Sequence, residues 1–94
     1  MIEITKPLFR LGQVVSTPSA LELLSTTNII PFQLLSRHAS GDWGDLTNED
    51  KEANDHALEH GDRIFSSYSV GKEKVWVITE ADRSSTCLLL PEEY

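Results

Sequence analysis

Four polar residues have side chains that could support acid–base chemistry. His38 is followed closely by Asp42 and Asp45, and Arg83 lies further along the chain. A histidine acts as a general base when a nearby carboxylate orients it. The spacing does not require these groups to converge, and the sequence has no nucleophile elbow, phosphate-binding glycine loop or dinucleotide fingerprint. A small hydrolase or nuclease-like toxin that uses His38 and Arg83 is therefore an alternative functional hypothesis.

A second group of residues has the spacing of metal ligands. His56 and His60 are four residues apart and Glu52 lies one turn earlier, so a helix would place them on one face. A strong zinc motif needs a second ligand group, and the chain has a single cysteine, Cys87. We expect His56 to pack against the fold, His60 to favour the helix C-terminus, and Cys87 to be a buried, unreactive thiol. The sequence predicts no metal, no cofactor and no catalytic residue.

The negative charge is concentrated in one segment. Residues 42–62 contain eight acids and one lysine, whereas acids and bases cancel elsewhere, so this segment accounts for the formal net charge of −7. The acids are Asp42, Asp45, Glu49, Asp50, Glu52, Asp55, Glu59 and Asp62. Binding to duplex nucleic acid requires clustered Lys and Arg, so we expect no direct duplex binding. One interpretation of this acid run is a solvated helix face; the other is a surface for a protein partner with a basic surface.

Trp43 lies in a short stretch that also contains two glycines and two aspartates. One interpretation is a tight loop in which Trp43 fills the core and an aspartate caps a backbone turn. The other is a loop in which Trp43 anchors a partner, because aromatic residues on loops are common contact residues. Under the second interpretation, the partner-binding residues are Asp42, Trp43, Asp45, Asp55, Glu59 and Asp62.

Helix signals predict three short helices. The first spans about 18–25 behind an N-cap at Thr17, and the second spans about 31–38. The third runs from an N-cap at Thr47 to about residue 60. We expect this third helix to bury a thin stripe and to carry its acids on the outer faces. The stripe consists of Ala53, His56, Ala57 and His60.

Three β-prone runs at about 64–70, 75–80 and 85–90 are separated by turn residues, which is typical of an antiparallel meander. An earlier run, 8–15, is interrupted by Gly12, which indicates a bulge or a close backbone approach. The fold class predicted is α+β. It consists of three short helices packed on an antiparallel sheet of three to four strands with a C-terminal meander.

We expect one domain over residues 1–94, with residues 1–6 as a frayed leader. The alternative for this leader is an edge strand, because Ile2 and Ile4 alternate with Glu3. No apolar run approaches the ~18 residues of a membrane span. The N-terminus has no basic region followed by an apolar stretch, so the sequence does not indicate a signal peptide. The lone cysteine favours a reducing compartment. These features predict a cytoplasmic protein that does not associate with membranes.

Several blocks of the sequence are distinctive. They are 38–46 (HASGDWGDL), 63–68 (RIFSSY), 76–84 (WVITEADRS) and 89–94 (LLPEEY). With these blocks, the chain resembles a family of short bacterial proteins found on plasmids and integrated mobile elements. Members are usually labelled plasmid-related or hypothetical, and some carry a restriction-system label. The resemblance covers roughly residues 8–94 and implies a bacterial mobile-element setting, without an activity or site residues.

The leading functional hypothesis is a non-catalytic accessory protein that binds a basic macromolecular partner. The localised charge and the mobile-element resemblance together suggest an anti-restriction or other anti-defence role. A further alternative is a structural homodimer joined by an edge strand or by the acidic helix.

Overall fold

The computed structural model describes residues 7–94, which form three helices and a four-stranded sheet. The strands are β1 (Gln13–Ser16), β2 (Ile64–Val70), β3 (Glu73–Thr79) and β4 (Ser85–Leu89). The helices are α1 (Pro18–Thr26), α2 (Pro31–Ala39) and α3 (Asn48–His60), and a short 3₁₀ turn follows at Pro91–Glu93. The predicted α+β class with three helices is confirmed. The leader predicted for residues 1–6 lies outside the described residues.

The helix ends follow local capping chemistry. The Thr17 hydroxyl accepts a hydrogen bond from the Ala20 amide at 3.2 Å, and the Thr47 hydroxyl accepts one from the Asp50 amide at 3.2 Å. Gly61 ends α3 in the left-handed conformation that glycine adopts without steric cost. Within residues 7–94, no helix has the length and hydrophobicity needed to cross a membrane.

The strand order is β1-β4-β3-β2. The predicted meander is confirmed, because β2, β3 and β4 pair antiparallel in sequence order. The expectation of a wholly antiparallel sheet is wrong, because β1 pairs parallel with β4. All three helices and two strands separate β1 from β4, which gives the long crossover that parallel pairing requires. The close backbone approach predicted at Gly12 is confirmed, since a Cβ there would overlap the Ser84 carbonyl.

The main core lies between the sheet and the first two helices. Leu24 of α1 and Leu34 of α2 are at most 3% exposed and belong to one cluster with sheet residues. The sheet members of this cluster are Tyr68, Val70, Val75, Val77 and Leu88. Strand alternation places these residues on one face of the sheet. A smaller cluster joins the loop, α3 and β2 through Trp43, Ala57 and Ile64.

The buried face of α3 differs from the predicted stripe. Asn54 and Ala57 are buried, whereas Ala53, His56 and His60 are exposed. Asn54 faces inward because its amide replaces a strand partner at β2: Nδ2 donates to the Phe65 carbonyl at 2.6 Å, and Oδ1 accepts from the Phe65 amide at 3.1 Å. The helix is therefore held beside β2 by side chain-to-backbone hydrogen bonds as well as by apolar packing.

Candidate binding surface

His38 is fully buried in a chain of hydrogen bonds that fixes its tautomer. Thr86 Oγ1 donates to the Leu11 carbonyl at 2.7 Å, so Thr86 accepts from Thr79 Oγ1 at 2.7 Å. Thr79 Oγ1 must then accept from His38 Nε2–H at 2.9 Å. His38 Nδ1 is left without a proton and accepts from the Ser66 hydroxyl.

This burial is inconsistent with the role of a general base for His38. Desolvation, with a contribution from the positive charge of Arg83, lowers the pKa of His38 from 6.5 to about 3. A general base must reach the proton that it abstracts, and His38 has no exposed surface. Among the described residues, no hydrogen bond joins His38 to Asp42, Asp45 or Arg83. The geometry therefore gives the hydrolase hypothesis no support.

Arg83 joins the end of α3 to the turn between β3 and β4. Its Nη1 donates to the carbonyls of Asp62 at 2.7 Å, Glu80 at 3.0 Å and Ala81 at 3.1 Å. Its Nη2 donates to the Ala57 carbonyl at 3.2 Å. A cation at a helix C-terminus is stabilised by the helix dipole. The guanidinium is therefore occupied by backbone oxygens and holds two elements together.

Asp42 forms an ion pair with Arg37. Arg37 Nε lies 2.7 Å from Asp42 Oδ2, and Asp42 Oδ1 accepts from the Gly44 amide at 3.2 Å. The bond from Arg37 holds the pKa of the Asp42 carboxyl below its usual value. The Arg37 guanidinium also lies 4.5 Å from the centre of the Tyr68 ring, and the Tyr68 hydroxyl donates to the Asp42 carbonyl at 2.7 Å. Asp42 thus anchors the loop and has its charge compensated locally.

Asp45 is also paired. Its carboxylate accepts from the Ser69 hydroxyl and lies 3.3 Å from Lys74 Nζ, and both contacts lower its pKa. The Asp45 amide donates to the Ser67 carbonyl at 2.7 Å, which fixes the loop along β2. Two of the six predicted partner-binding residues, Asp42 and Asp45, therefore belong to ion pairs within the fold.

Trp43 is 5% exposed, and its buried indole offers no surface to a partner. The ring lies in the cluster with Ala57 and Ile64, and its Nε1 donates to Asp55 Oδ1 at 3.3 Å. This placement corrects the prediction that Trp43 contacts a partner and agrees with the alternative interpretation, in which the loop tryptophan fills the core. Asp55 is held over the indole while remaining exposed.

The outer face of α3 carries exposed carboxylates without cationic partners. Glu52, Asp55 and Glu59 follow one another at spacings of three and four residues, which places them in one row on the helix. We call this row the acidic stripe. No Lys or Arg within residues 7–94 forms an ion pair with it. Like charges at these spacings repel one another, so the stripe lowers helix stability slightly.

Asp62 follows α3 and lies outside the acidic stripe. Its carboxylate is 3.8 Å from His56 Nδ1, and both side chains are exposed. The His56 and His60 rings stack with centroids 3.9 Å apart. Among the described residues, no three His, Cys, Asp or Glu side chains are grouped as metal ligands.

An aromatic groove on the sheet surface was not anticipated from the sequence. It encloses about 280 Å³ and is lined by Arg63, Phe65, Trp76, Ile78 and Tyr94. Arg63 Nη1 donates to the Tyr94 hydroxyl at 2.7 Å, and Arg63 Nη2 lies 3.2 Å from Glu80 Oε1. The alternation of residues in β2 and β3 could have placed the two aromatic rings together, but not the tail that covers them.

Comparison of the chain with protein-family models, with curated proteins and with solved structures finds no match.

Proposed function

We propose that this chain is a non-catalytic accessory protein that binds a partner with a basic surface through the acidic stripe of α3. The observation that supports it is the contrast among the acids. Asp42 and Asp45 form ion pairs with Arg37 and Lys74, whereas the three carboxylates of the stripe are exposed and have no ion-pair partner among the described residues. A row of carboxylates without ion-pair partners on a rigid helix produces a negative electrostatic potential, which attracts a complementary cationic surface.

The position of the stripe also supports binding by a preformed surface. Asn54 bonds to both backbone groups of Phe65, and Trp43 packs beneath the helix while bonding to Asp55. These contacts hold α3 in place before any partner arrives. A preorganised surface avoids the entropy cost of ordering a loop on binding. The proposed partner-contact residues are therefore Glu52, Asp55 and Glu59, with Asp62 at the C-terminal end.

Anti-restriction or another anti-defence role is the specific form of this proposal. Proteins that bind nucleic acid present clustered Lys and Arg, and an acidic helix can occupy the same cationic surface. The resemblance to short proteins of plasmids and mobile elements supports this form of the proposal. A hydrolase role is not proposed, because His38 is buried and Arg83 is bonded to backbone carbonyls.

The proposal is tested by affinity capture from a nuclease-treated bacterial lysate at about 50 mM and about 500 mM salt. The test variant is Glu52→Gln, Asp55→Asn and Glu59→Gln, which keeps side-chain shape and removes three charges. The control variant is Glu22→Gln, Glu73→Gln and Glu92→Gln, which removes three charges from exposed acids outside the stripe.

Capture of a basic protein at low salt by the wild type and the control, but not by the test variant, is the expected result. Capture should weaken at high salt, because the Debye length falls from about 14 Å at about 50 mM salt to about 4 Å at about 500 mM salt. Equal retention by the test and control variants would contradict the proposal, since net charge alone would then determine binding.

A further inference from the structure

The two edges of the sheet differ in how their backbone groups are satisfied. At the β2 edge, the Ser67 amide donates to the Trp43 carbonyl at 3.2 Å, and the Ser67 carbonyl accepts from the Asp45 amide at 2.7 Å. The amide and carbonyl of Phe65 bond to Asn54. The loop and α3 therefore cover this edge, which is how natural sheets prevent pairing with other chains.

The β1 edge is bare within residues 7–94. Gln13, Val15 and Thr17 direct their backbone groups toward β4, as shown by the bonds from Gln13 N to Ser84 O and from Thr17 N to Leu88 O. The N–H and C=O groups of Val14 and Ser16 therefore point away from the sheet. Among the described residues, β4 is the only strand paired with β1, and no loop or turn backbone group bonds to Val14 or Ser16. Unpaired groups of this kind form a template for another strand.

We propose that two copies of this chain pair antiparallel through β1, about a two-fold axis that passes between the two Val15 residues. Isologous pairing about a two-fold axis is the commonest form of self-association. With the axis at Val15, Val14 lies opposite Ser16 of the second copy, and Ser16 lies opposite Val14 of the second copy. Each pair exchanges two hydrogen bonds, so the four outward groups of each strand are all satisfied.

The side chains of β1 suit this pairing. Val14 is 43% exposed and Val15 is 44% exposed, so two large apolar side chains lose contact with water on association. Charged residues and proline are common on edge strands that resist pairing. The strand Gln13–Ser16 contains neither. The two Val15 side chains meet across the axis on the sheet face opposite the α1 and α2 core.

The distribution of charge permits a second copy to occupy this edge. The acidic helix α3 packs beside β2, at the far end of the strand order from β1. With strands about 4.8 Å apart, the two β2 strands of an eight-stranded sheet would lie about 34 Å apart. This distance is several times the Debye length of about 8 Å, so the two acidic helices would barely repel one another. This proposal is independent of what binds to the acidic stripe.

The experiment measures the oligomeric state of full-length protein by sedimentation equilibrium, up to about 1 mM. The test variants are Val15→Lys and Val15→Glu, each of which places two like charges opposite one another at the axis. The control is Gln13→Lys, which adds the same charge to β1 but lies opposite Thr17 of the second copy. Far-UV circular dichroism confirms that each variant is folded.

We expect a reversible dimer for the wild type and the control, and a monomer for each Val15 variant. An equal mixture of the Val15→Lys and Val15→Glu proteins should form a heterodimer, because opposite charges then meet at the axis. The amides of Val14 and Ser16 should exchange with solvent more slowly in the dimer than in the monomeric variants. A monomeric wild type, a dimeric Val15→Lys protein, or a mixture that stays monomeric would overturn the proposal.

Discussion

At the residue scale, His38 illustrates how a residue type associated with catalysis serves the core instead. Its two ring nitrogens bond to Ser66 and Thr79, and its ring packs edge-on against Phe9 with centroids 5.1 Å apart. Every buried side-chain polar atom of the described residues has a hydrogen-bond partner. These hydrogen bonds form only while the imidazole is neutral. The protonation state of His38 therefore affects the stability of the fold.

The folded-state pKa of His38 is about 3, whereas the unfolded chain would titrate near 6.5. The unfolded state therefore binds an additional proton between these values, and stability falls as the pH is lowered from 6.5 toward 3. From pH 7 to pH 4, His38 should account for a loss of about 3 kcal/mol in the free energy of unfolding.

Urea unfolding of the wild type and of His38→Gln at pH 7 and pH 4 measures this contribution. The glutamine amide can donate and accept hydrogen bonds but does not titrate, so the variant should lose less stability at low pH. His56→Gln, at an exposed position, provides the control and should behave like the wild type. An identical pH dependence for His38→Gln and the wild type would show that His38 is not buried as a neutral ring.

At the element scale, close backbone contacts attach the 41–46 loop to β2. Gly44 has a φ of +75° and forms a parallel bridge with Ser67. A Cβ at Gly44 would overlap the Ser67 carbonyl oxygen, whereas a Cβ at Gly61 would meet nothing within 4 Å. The two positions share a left-handed backbone and differ in the space around it.

Substitution of these glycines by alanine separates conformational strain from steric overlap. Gly61→Ala should cost about 1–2 kcal/mol, the penalty for an alanine at positive φ. Gly44→Ala adds the overlap with Ser67 and should cost more than about 3 kcal/mol. Thermal unfolding of both variants gives the comparison. Equal losses would mean that the loop is not attached to β2 as described.

Asn54 provides a second contact between elements. Asn54→Asp keeps the acceptor for the Phe65 amide but replaces the donor to the Phe65 carbonyl with a carboxylate oxygen. We expect a loss of about 2–3 kcal/mol in the free energy of unfolding, because a buried acceptor is left unpaired beside a charge. Asn48→Asp makes the same chemical change at an exposed residue in the first turn of α3, where it should be neutral or slightly stabilising.

The contrast between local and distant contacts explains which elements were predictable from the sequence. The helix ends at Thr17, Thr47 and Gly61 depend on residues within one turn, and their capping signals were read correctly. The pairing of β1 with β4 joins segments about seventy residues apart, and no local pattern encodes its direction. Periodicity likewise identifies an amphipathic helix but not a polar inner residue such as Asn54, whose partner lies on β2.

The candidate site was predictable to a similar extent. Composition located the charge in residues 42–62, but it could not show which acids are neutralised by Arg37 and Lys74. Those ion pairs depend on the tertiary positions of α2 and β3 relative to the loop. The burial of Trp43 was one of two open interpretations, and only the packing of α3 above the indole distinguishes them.

At the scale of the whole molecule, the two edges of the sheet differ in charge. One end of the sheet carries α3 and the acidic stripe, and the other ends in the uncharged strand β1. The charges of Asp42 and Asp45 are compensated by ion pairs, so the remaining negative electrostatic potential should originate from the outer face of α3. We propose that this face, rather than the total charge of −7, attracts a basic partner.

Amide chemical shifts of isotope-labelled protein, titrated with an oligolysine peptide of about ten residues at low salt, test this claim most directly. The account predicts that the largest shift changes fall on α3 and that the variant Glu52→Gln, Asp55→Asn, Glu59→Gln loses most of them. Changes of similar size around Glu22, Glu73 and Glu92, or no loss in the variant, would contradict it.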